Sequence, residues 1–303
     1  MFRTIVVGYD GPARGDEAIA LAEVLRDPRH GSLLLTSVHL PTPIPAPPYG
    51  IAPLDLRDPM DASLAEARAR LEGRVPVRTI SVPAAPARAL IETAEREHAD
   101  LVVVGSTRRG TVGRFVPGTT AMRLLHDAPC AVAVAPRGYA GGDIRHIGVA
   151  YEGSPEAEAE AALRAAESLA LELGAALTVY CVVEPPPTTD SVIAAGSGAE
   201  WPSVTAEQHG RQLLYYVADH APQGLRPETL LLHGHAAEQI AWRTAGVVDL
   251  LFAGSRGEGP LRRELLGSVS GALVRDADCP VVITPRSAVA ATRSPNPVTA
   301  GHA

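Results

Sequence analysis

Ala99-Asp100-Leu101-Val102-Val103-Val104-Gly105-Ser106 recurs in the second half of the chain as Val248-Asp249-Leu250-Leu251-Phe252-Ala253-Gly254-Ser255. Each stretch is an acid, a continuous apolar run and a Gly-Ser turn. A short run without polar alternation, closed by a turn residue, reads as a strand buried on both faces, as in a parallel sheet covered by helices. Upstream, Ile5-Val6-Val7-Gly8-Tyr9-Asp10-Gly11-Pro12 corresponds to Ile147-Gly148-Val149-Ala150-Tyr151-Glu152-Gly153-Ser154, each ending in Tyr-acid-Gly. Downstream, Gly118-Thr119 corresponds to Gly267-Ser268, and Asp127-Ala128-Pro129-Cys130 to Asp276-Ala277-Asp278-Cys279. Both halves then close in a Val-rich strand and Pro-Arg. Self-similarity in this order is internal duplication.

Strand and helix alternate in each half. The first half predicts strands over 3–9, 32–38, 76–82, 100–105 and 131–135, with helices near 14–26, 61–72, 86–97 and 118–126. The second predicts strands near 146–151, 176–182, 228–233, 248–253 and 280–284. The fold class is therefore α/β, with parallel sheets flanked by helices on both faces. Domains are expected over 1–139 and 144–287, joined by a linker at Ala140–Asp143, with a disordered tail over 288–303. One insert follows the second strand of each half: 41–59, which holds seven prolines, and 184–203, which begins with Pro185-Pro186-Pro187 after Glu184. Proline-dense segments read as exposed, extended loops.

Composition excludes several functions. The chain has 303 residues and a net charge of −7, which argues against nucleic acid as a partner because phosphate binding needs clustered cations. No apolar run approaches the roughly 18 residues of a membrane span, and Thr4-Ile5-Val6-Val7 leaves no room for a signal peptide. A cytoplasmic protein is expected. All 27 basic residues are arginines, so P-loop, kinase-type and Schiff-base chemistries, which need a lysine, are out of reach. Cys130, Cys181 and Cys279 form no Cys-x-x-Cys pair and predict neither a disulfide framework nor a zinc site.

Open α/β sheets bind ligands at the carboxyl ends of strands, near a topological switch point. In the second half the fourth strand leads into Gly254-Ser255-Arg256-Gly257, nine residues, and then Gly267-Ser268-Val269-Ser270. Glycines let backbone amides approach an anion, and the N-terminus of the helix that follows favours negative charge. A glycine turn alone reads equally well as a structural connection. The spacing Gly-x-x-Gly-x9-Gly-Ser, together with the Cys-Pro-Val-Val-Ile strand, resembles the ATP-binding signature of the universal stress protein family.

That resemblance spans both halves, roughly 1–137 and 144–286. It implies tandem adenine nucleotide hydrolase-like domains, each a five-stranded parallel sheet of order 3-2-1-4-5, paired through their last strands as an internal pseudo-dimer. Further dimerisation of the whole chain is expected. The resemblance implies ATP, with Mg²⁺, as the ligand of a stress or signalling regulator with an unidentified protein partner. The alternatives are a nucleotide-free interaction module and a slow ATP hydrolase; no catalytic residue and no resident metal site is assigned. By the resemblance, Glu152, Val182, Gly254, Gly257, Gly267, Ser268, Val269 and Ser270 hold nucleotide in the second half. Asp10, Val38, Gly105, Arg108, Gly118, Thr119 and Thr120 do so in the first.

The two sites depart from the family pattern in different places. Glu152 stands where the family has Asp, Arg108 replaces the second glycine of the first half, and Ala121 takes the place of Ser270. The second half is expected to be the better phosphate cradle and the first the better nucleoside clamp. Arg108, Arg109 and Arg114, and likewise Arg256, Arg262 and Arg263, flank the glycine loops, as phosphate contacts or as solvated charge. His233-Gly234-His235 offers too few ligands for a metal and reads as structural.

Overall fold

The computed structural model describes residues 1–39, 59–106, 108–109, 115–116, 119–152, 157–184, 202–255 and 268–285. In chain order the strands are β1 (Thr4–Tyr9), β2 (Ser32–His39), β3 (Val77–Pro83), β4 (Leu101–Gly105), β5 (Arg108–Arg109), β6 (Phe115–Val116) and β7 (Ala131–Ala135) in the first half. The second half contributes β8 (His146–Ala150), β9 (Ala176–Val183), β10 (Glu228–His233), β11 (Leu250–Gly254) and β12 (Val281–Thr284). The helices are α1 (Pro12–Leu25), α2 (Pro59–Leu71), α3 (Pro86–Arg96), α4 (Thr119–Asp127), α5 (Ala157–Leu173), α6 (Pro202–Asp219), α7 (Ala236–Thr244) and α8 (Ser268–Asp276).

The expected strands form at their expected places. β4 and β7 are buried along nearly their whole length, as are β11 and β12, because helices cover both faces. Proline begins α1 and α3, where its missing N–H costs nothing and its fixed φ suits the first turn. The same preference takes α6 back to Pro202, inside the span read as the second insert. Pro59, the last residue of the first insert, likewise begins α2; residues 41–58 and 185–201, and the tail after 285, lie outside the described residues.

Within each half the sheet is parallel and ordered 3-2-1-4-5, observed as β3-β2-β1-β4-β7 and β10-β9-β8-β11-β12. The halves join. β12 pairs antiparallel with β7 through Val281↔Val134, Val282↔Ala133 and Ile283↔Val132, giving one ten-stranded mixed sheet. The pseudo-dimer is thus an extended hydrogen-bonded ladder in addition to a packed contact. One face is covered by α1, α2, α5 and α6, with Leu21, Leu25, Leu163 and Leu169 in its core. The other is covered by α3, α4, α7 and α8, with Leu90, Leu124, Ile240 and Leu273. Both cores are mainly aliphatic, with Tyr9, Tyr151 and Phe252 in the first and Tyr180 in the second.

The Asp-Leu repeat has a structural cause. Asp100 accepts hydrogen bonds from the Arg3 and Thr4 amides at 2.8 and 2.9 Å. Asp249 accepts from Arg145 and His146 at 2.8 and 2.9 Å. Each carboxylate fastens the amino edge of its sheet, away from the switch point. Among the described residues no helix is long and apolar enough to cross a membrane.

Candidate functional site

Chain direction along the sheet reverses between β1 and β4. From β1 the chain proceeds to β2 and β3 on one side, then returns to β4 and β7 on the other. This switch point opens a crevice at the carboxyl edge. Asp10 stands on its rim, immediately after β1. Tyr9 pairs with Ser37, so Asp10 lies beside Val38 and His39 at the end of β2. The Asp10 carboxylate is about half exposed and pairs with the Arg14 guanidinium at 3.0 Å. Burial pushes its pKa above the ordinary carboxylate value, and Arg14 opposes that rise without cancelling it. Arg14 was not among the residues singled out from sequence. Its signal was the acid–arginine spacing of four that places opposite charges on neighbouring turns.

Gly105 closes β4, and the glycine there has a packing cause. A Cβ at this position would fall 2.5 Å from the Arg14 carbonyl oxygen, within the first turn of α1. The α1 backbone therefore occupies the space a side chain would need. Ser106 follows, its amide donating to the Ala135 carbonyl at 2.9 Å. It is 2 % exposed, and its hydroxyl has no hydrogen-bond partner among the described residues. The Ser37 hydroxyl on β2 is likewise buried and unpartnered. Buried polar atoms without partners are uncommon; by strand alternation Ser106 lies on the face that carries Val102 and Val104, beneath α3 and α4, whereas Ser37 lies on the opposite face with Leu33 and Leu35. The helix α4 starts at Thr119, which is exposed, followed by half-buried Thr120 and buried Ala121. A helix that crosses back from β4 to β7 must begin at the carboxyl edge, so its unpaired amides face this crevice. Gly118 lies outside the described residues. Arg108 lies in β5, paired with Val116, so the glycine loop contains a short antiparallel ribbon there.

The second half repeats the plan. The Tyr151 amide donates to the Tyr180 carbonyl at 2.9 Å, which carries the β8 ladder one residue further and sets Glu152 beside Val182. Glu152 is exposed and its charge helps raise the Cys181 thiol to about 11, after the larger effect of burial. Gly254 ends β11 opposite Thr284, and the Ser255 amide donates to the Thr284 carbonyl at 3.1 Å, matching Ser106. The first turn of α8 contains Ser268, half-buried Val269 and Ser270, which is 2 % exposed. Gly257 and Gly267 lie outside the described residues. One difference was not legible from the motifs. Tyr180, on the strand face that carries Thr36 in the first half, is buried and lies 3.2 Å from where a Gly148 Cβ would sit.

Features set aside from sequence have structural places. His233 and His235 are exposed and flank Gly234, whose φ of +123° is the glycine-favoured conformation that turns β10 into α7. Among the described residues no three His, Cys, Asp or Glu side chains converge as a metal site. Cys130, Cys181 and Cys279 are all buried. Burial, ahead of the charges of Asp100 and Asp278 respectively, pushes Cys130 and Cys279 up to about 12, so all three thiols are held in the unreactive protonated form.

Comparison with known proteins follows the duplication. The sequence pattern of the universal stress protein family matches residues 1–136 and again 143–285. A universal stress protein of Mycobacterium tuberculosis is 27% identical over 304 aligned positions, covering 93% of this chain and 97% of the relative. A Thermus aquaticus universal stress protein, encoded in the QAH/OAS sulfhydrylase 3′ region, is 33% identical over 136 residues, 44% of this chain and 97% of its own. Among solved structures, a universal stress protein from Archaeoglobus fulgidus superposes with a TM-score of 0.62 at 17% identity, covering 93% of this chain and 98% of its own. A putative universal stress protein from Pseudomonas aeruginosa superposes at 0.64 and 16% identity, with 96% of each chain covered. Identities this low establish the fold alone.

Proposed function

This chain belongs to the universal stress protein family, and from that premise we propose that it binds adenine nucleotide, ATP with Mg²⁺ in the first instance, as a regulator rather than a turnover enzyme. The observation that carries the reading is the convergence at the switch point of the first half. There a half-buried carboxylate (Asp10), a hydroxyl with no partner among the described residues (Ser106) and the amide end of α4 meet at one sheet edge. A nucleotide has matching groups: ribose hydroxyls for Asp10 and anionic phosphates for the helix terminus. The fit extends to the second half, where Glu152, Val182, Gly254 and the first turn of α8 occupy the corresponding places. Gly257, Gly267 and Gly118 belong to the same reading through the motif spacing.

Within it the chain's own residues divide the work. Asp10 and Glu152 orient the nucleoside, and Ser268, Val269, Ser270, Thr119 and Thr120 supply amides and hydroxyls to the phosphates. Mg²⁺, when bound with ATP, screens phosphate charge. With no lysine in the chain, cationic contacts fall to arginines such as Arg108. Occupancy would order the glycine loops and so shift the population of partner-binding states. Dimerisation of the whole chain, and a protein partner that reads those states, belong to the same proposal.

Isothermal titration of the purified protein with ATP and Mg²⁺ tests it. We expect saturable binding at two unequal sites, one weakened by Asp10→Ala and the other by Ser268→Ala with Ser270→Ala. Absence of binding at millimolar nucleotide would refute the reading. That result would favour the second reading, an interaction module without nucleotide, for which the Asp10–Arg14 pair speaks: the first acid already has a cationic partner.

A further inference from the structure

The loop that leaves β4 does not stay within its own half. After Ser106 the backbone forms the β5–β6 ribbon, in which Arg108 pairs with Val116 and Arg109 with Phe115. β6 then lies against α8, a helix of the second half. The topology explains the reach. β4 is separated from β12 by β7 alone, and α8 packs over β12. A ribbon rising from the end of β4 on that face meets α8 as the first foreign helix. α8 opens with Ser268-Val269-Ser270, the residues assigned to the phosphates of the second site.

We propose that the β5–β6 ribbon of the first half is a positioning element for the second half's nucleotide site, setting α8 from across the pseudo-two-fold. This rests on the nucleotide reading above. A helix N-terminus acts on an anion only within its first turn, so a small displacement of α8 changes the phosphate cradle directly. The ribbon is fixed at its root by the Ser106–Ala135 hydrogen bond to β7. β7 is in turn bonded to β12, so ribbon and helix share one rigid base. The second site is therefore completed by backbone from the other half, and the second half is an incomplete unit alone. Such an arrangement couples the two sites. Whatever orders the first glycine loop also holds the ribbon against α8, and coupling of this kind typically spans about five- to 150-fold in affinity.

The test uses the full chain with two ribbon variants. Phe115→Gly with Val116→Gly strips side chains and β-propensity, and Phe115→Ala with Val116→Ala is the milder pair. Each is measured in an Asp10→Ala background, so that titration with ATP and Mg²⁺ reads the second site by itself. We expect second-site affinity to fall by roughly fivefold or more, and the conservative pair Phe115→Leu with Val116→Ile to restore it. In nucleotide-free protein, hydrogen exchange should quicken at Leu273 and Val274, whose amides bond within α8, while the amides of β1 and β2 keep their protection. Unchanged second-site affinity in both variants, with the parent chain binding normally, would overturn the proposal alone. So would unchanged exchange in α8, or exchange that quickens equally throughout the first half. A parent chain that binds no nucleotide would sink the functional reading first and this proposal with it.

Discussion

Gly105 separates two explanations that the sequence leaves tied, and Gly105→Ala resolves them. If the glycine serves to admit phosphate, alanine will weaken nucleotide binding and leave the ligand-free protein untouched. The structure gives the other answer. The added Cβ meets the Arg14 carbonyl oxygen at 2.5 Å and the Arg14 Cβ at 3.2 Å, so either β4 or the first turn of α1 must give way by several tenths of an ångström. Neither is a flexible side-chain end. Overpacking of this kind costs about 1–3 kcal/mol. Alanine also reduces the entropy of the unfolded chain, which returns about 0.4–1 kcal/mol, and a net loss of about 1–2 kcal/mol remains. For a cooperative unit of roughly 150–250 residues each kcal/mol moves Tm by about 2–4 °C, so ligand-free Gly105→Ala should melt roughly 2–8 °C lower. Thermal unfolding followed by circular dichroism, without nucleotide, is the assay. A midpoint within about 1 °C of the unaltered chain would refute the packing account and return Gly105 to the ligand.

Two further predictions concern acids. The Asp10 carboxyl has a folded pKa above the ordinary 3.8, so the native state holds a proton that the unfolded chain has released. Stability contributed by the protonated form is therefore lost as pH rises through that window, and ionised Asp10 detracts from the fold above it. Asp10→Asn should show a stability gain over the parent that is small near about pH 3 and grows towards about pH 6; urea midpoints across that range that track the parent at constant offset would contradict this. Asp100→Ala and Asp249→Ala each remove a carboxylate that accepts two backbone amides. Each should lower stability by about 1–2 kcal/mol in urea unfolding with nucleotide affinity unchanged. Neutral effects from both would mean that the repeated Asp-Leu answers to something other than the amino edge of the sheet.

The strands were legible because doubly covered strands must be apolar throughout, and residues 101–104 and 250–253 have no other stable environment. Their order followed from the family resemblance, and their joining through β7 and β12 from the same source. The candidate site was legible only as positions along motifs. Nothing in Gly105 distinguishes a glycine needed by a neighbouring helix from one needed by a ligand, since both demands remove the same atom. Arg108-Arg109 and Phe115-Val116 carry too few residues for a period of two to register, so the ribbon is not legible in the sequence. Ser106 and Ser37 are small polar residues of a kind common in turns. Their burial without partners appears only when the helices on both sides are in place. Tyr180 in place of Thr36 needed the strand register before the two positions could be compared.

The antiparallel joint between β7 and β12 has a consequence for how this protein can change over time. Two separate identical chains that met through the same strands would carry every substitution twice, once in each copy. Linked in one chain, the partners face each other at an effective concentration set by the tether, on the order of millimolar for short linkers, so the joint survives even when its two sides cease to match. The halves are then free to drift independently while the ladder holds them together. Asp10 opposite Glu152, Arg108 opposite Gly257, and Thr36 opposite Tyr180 are that freedom written into the sequence.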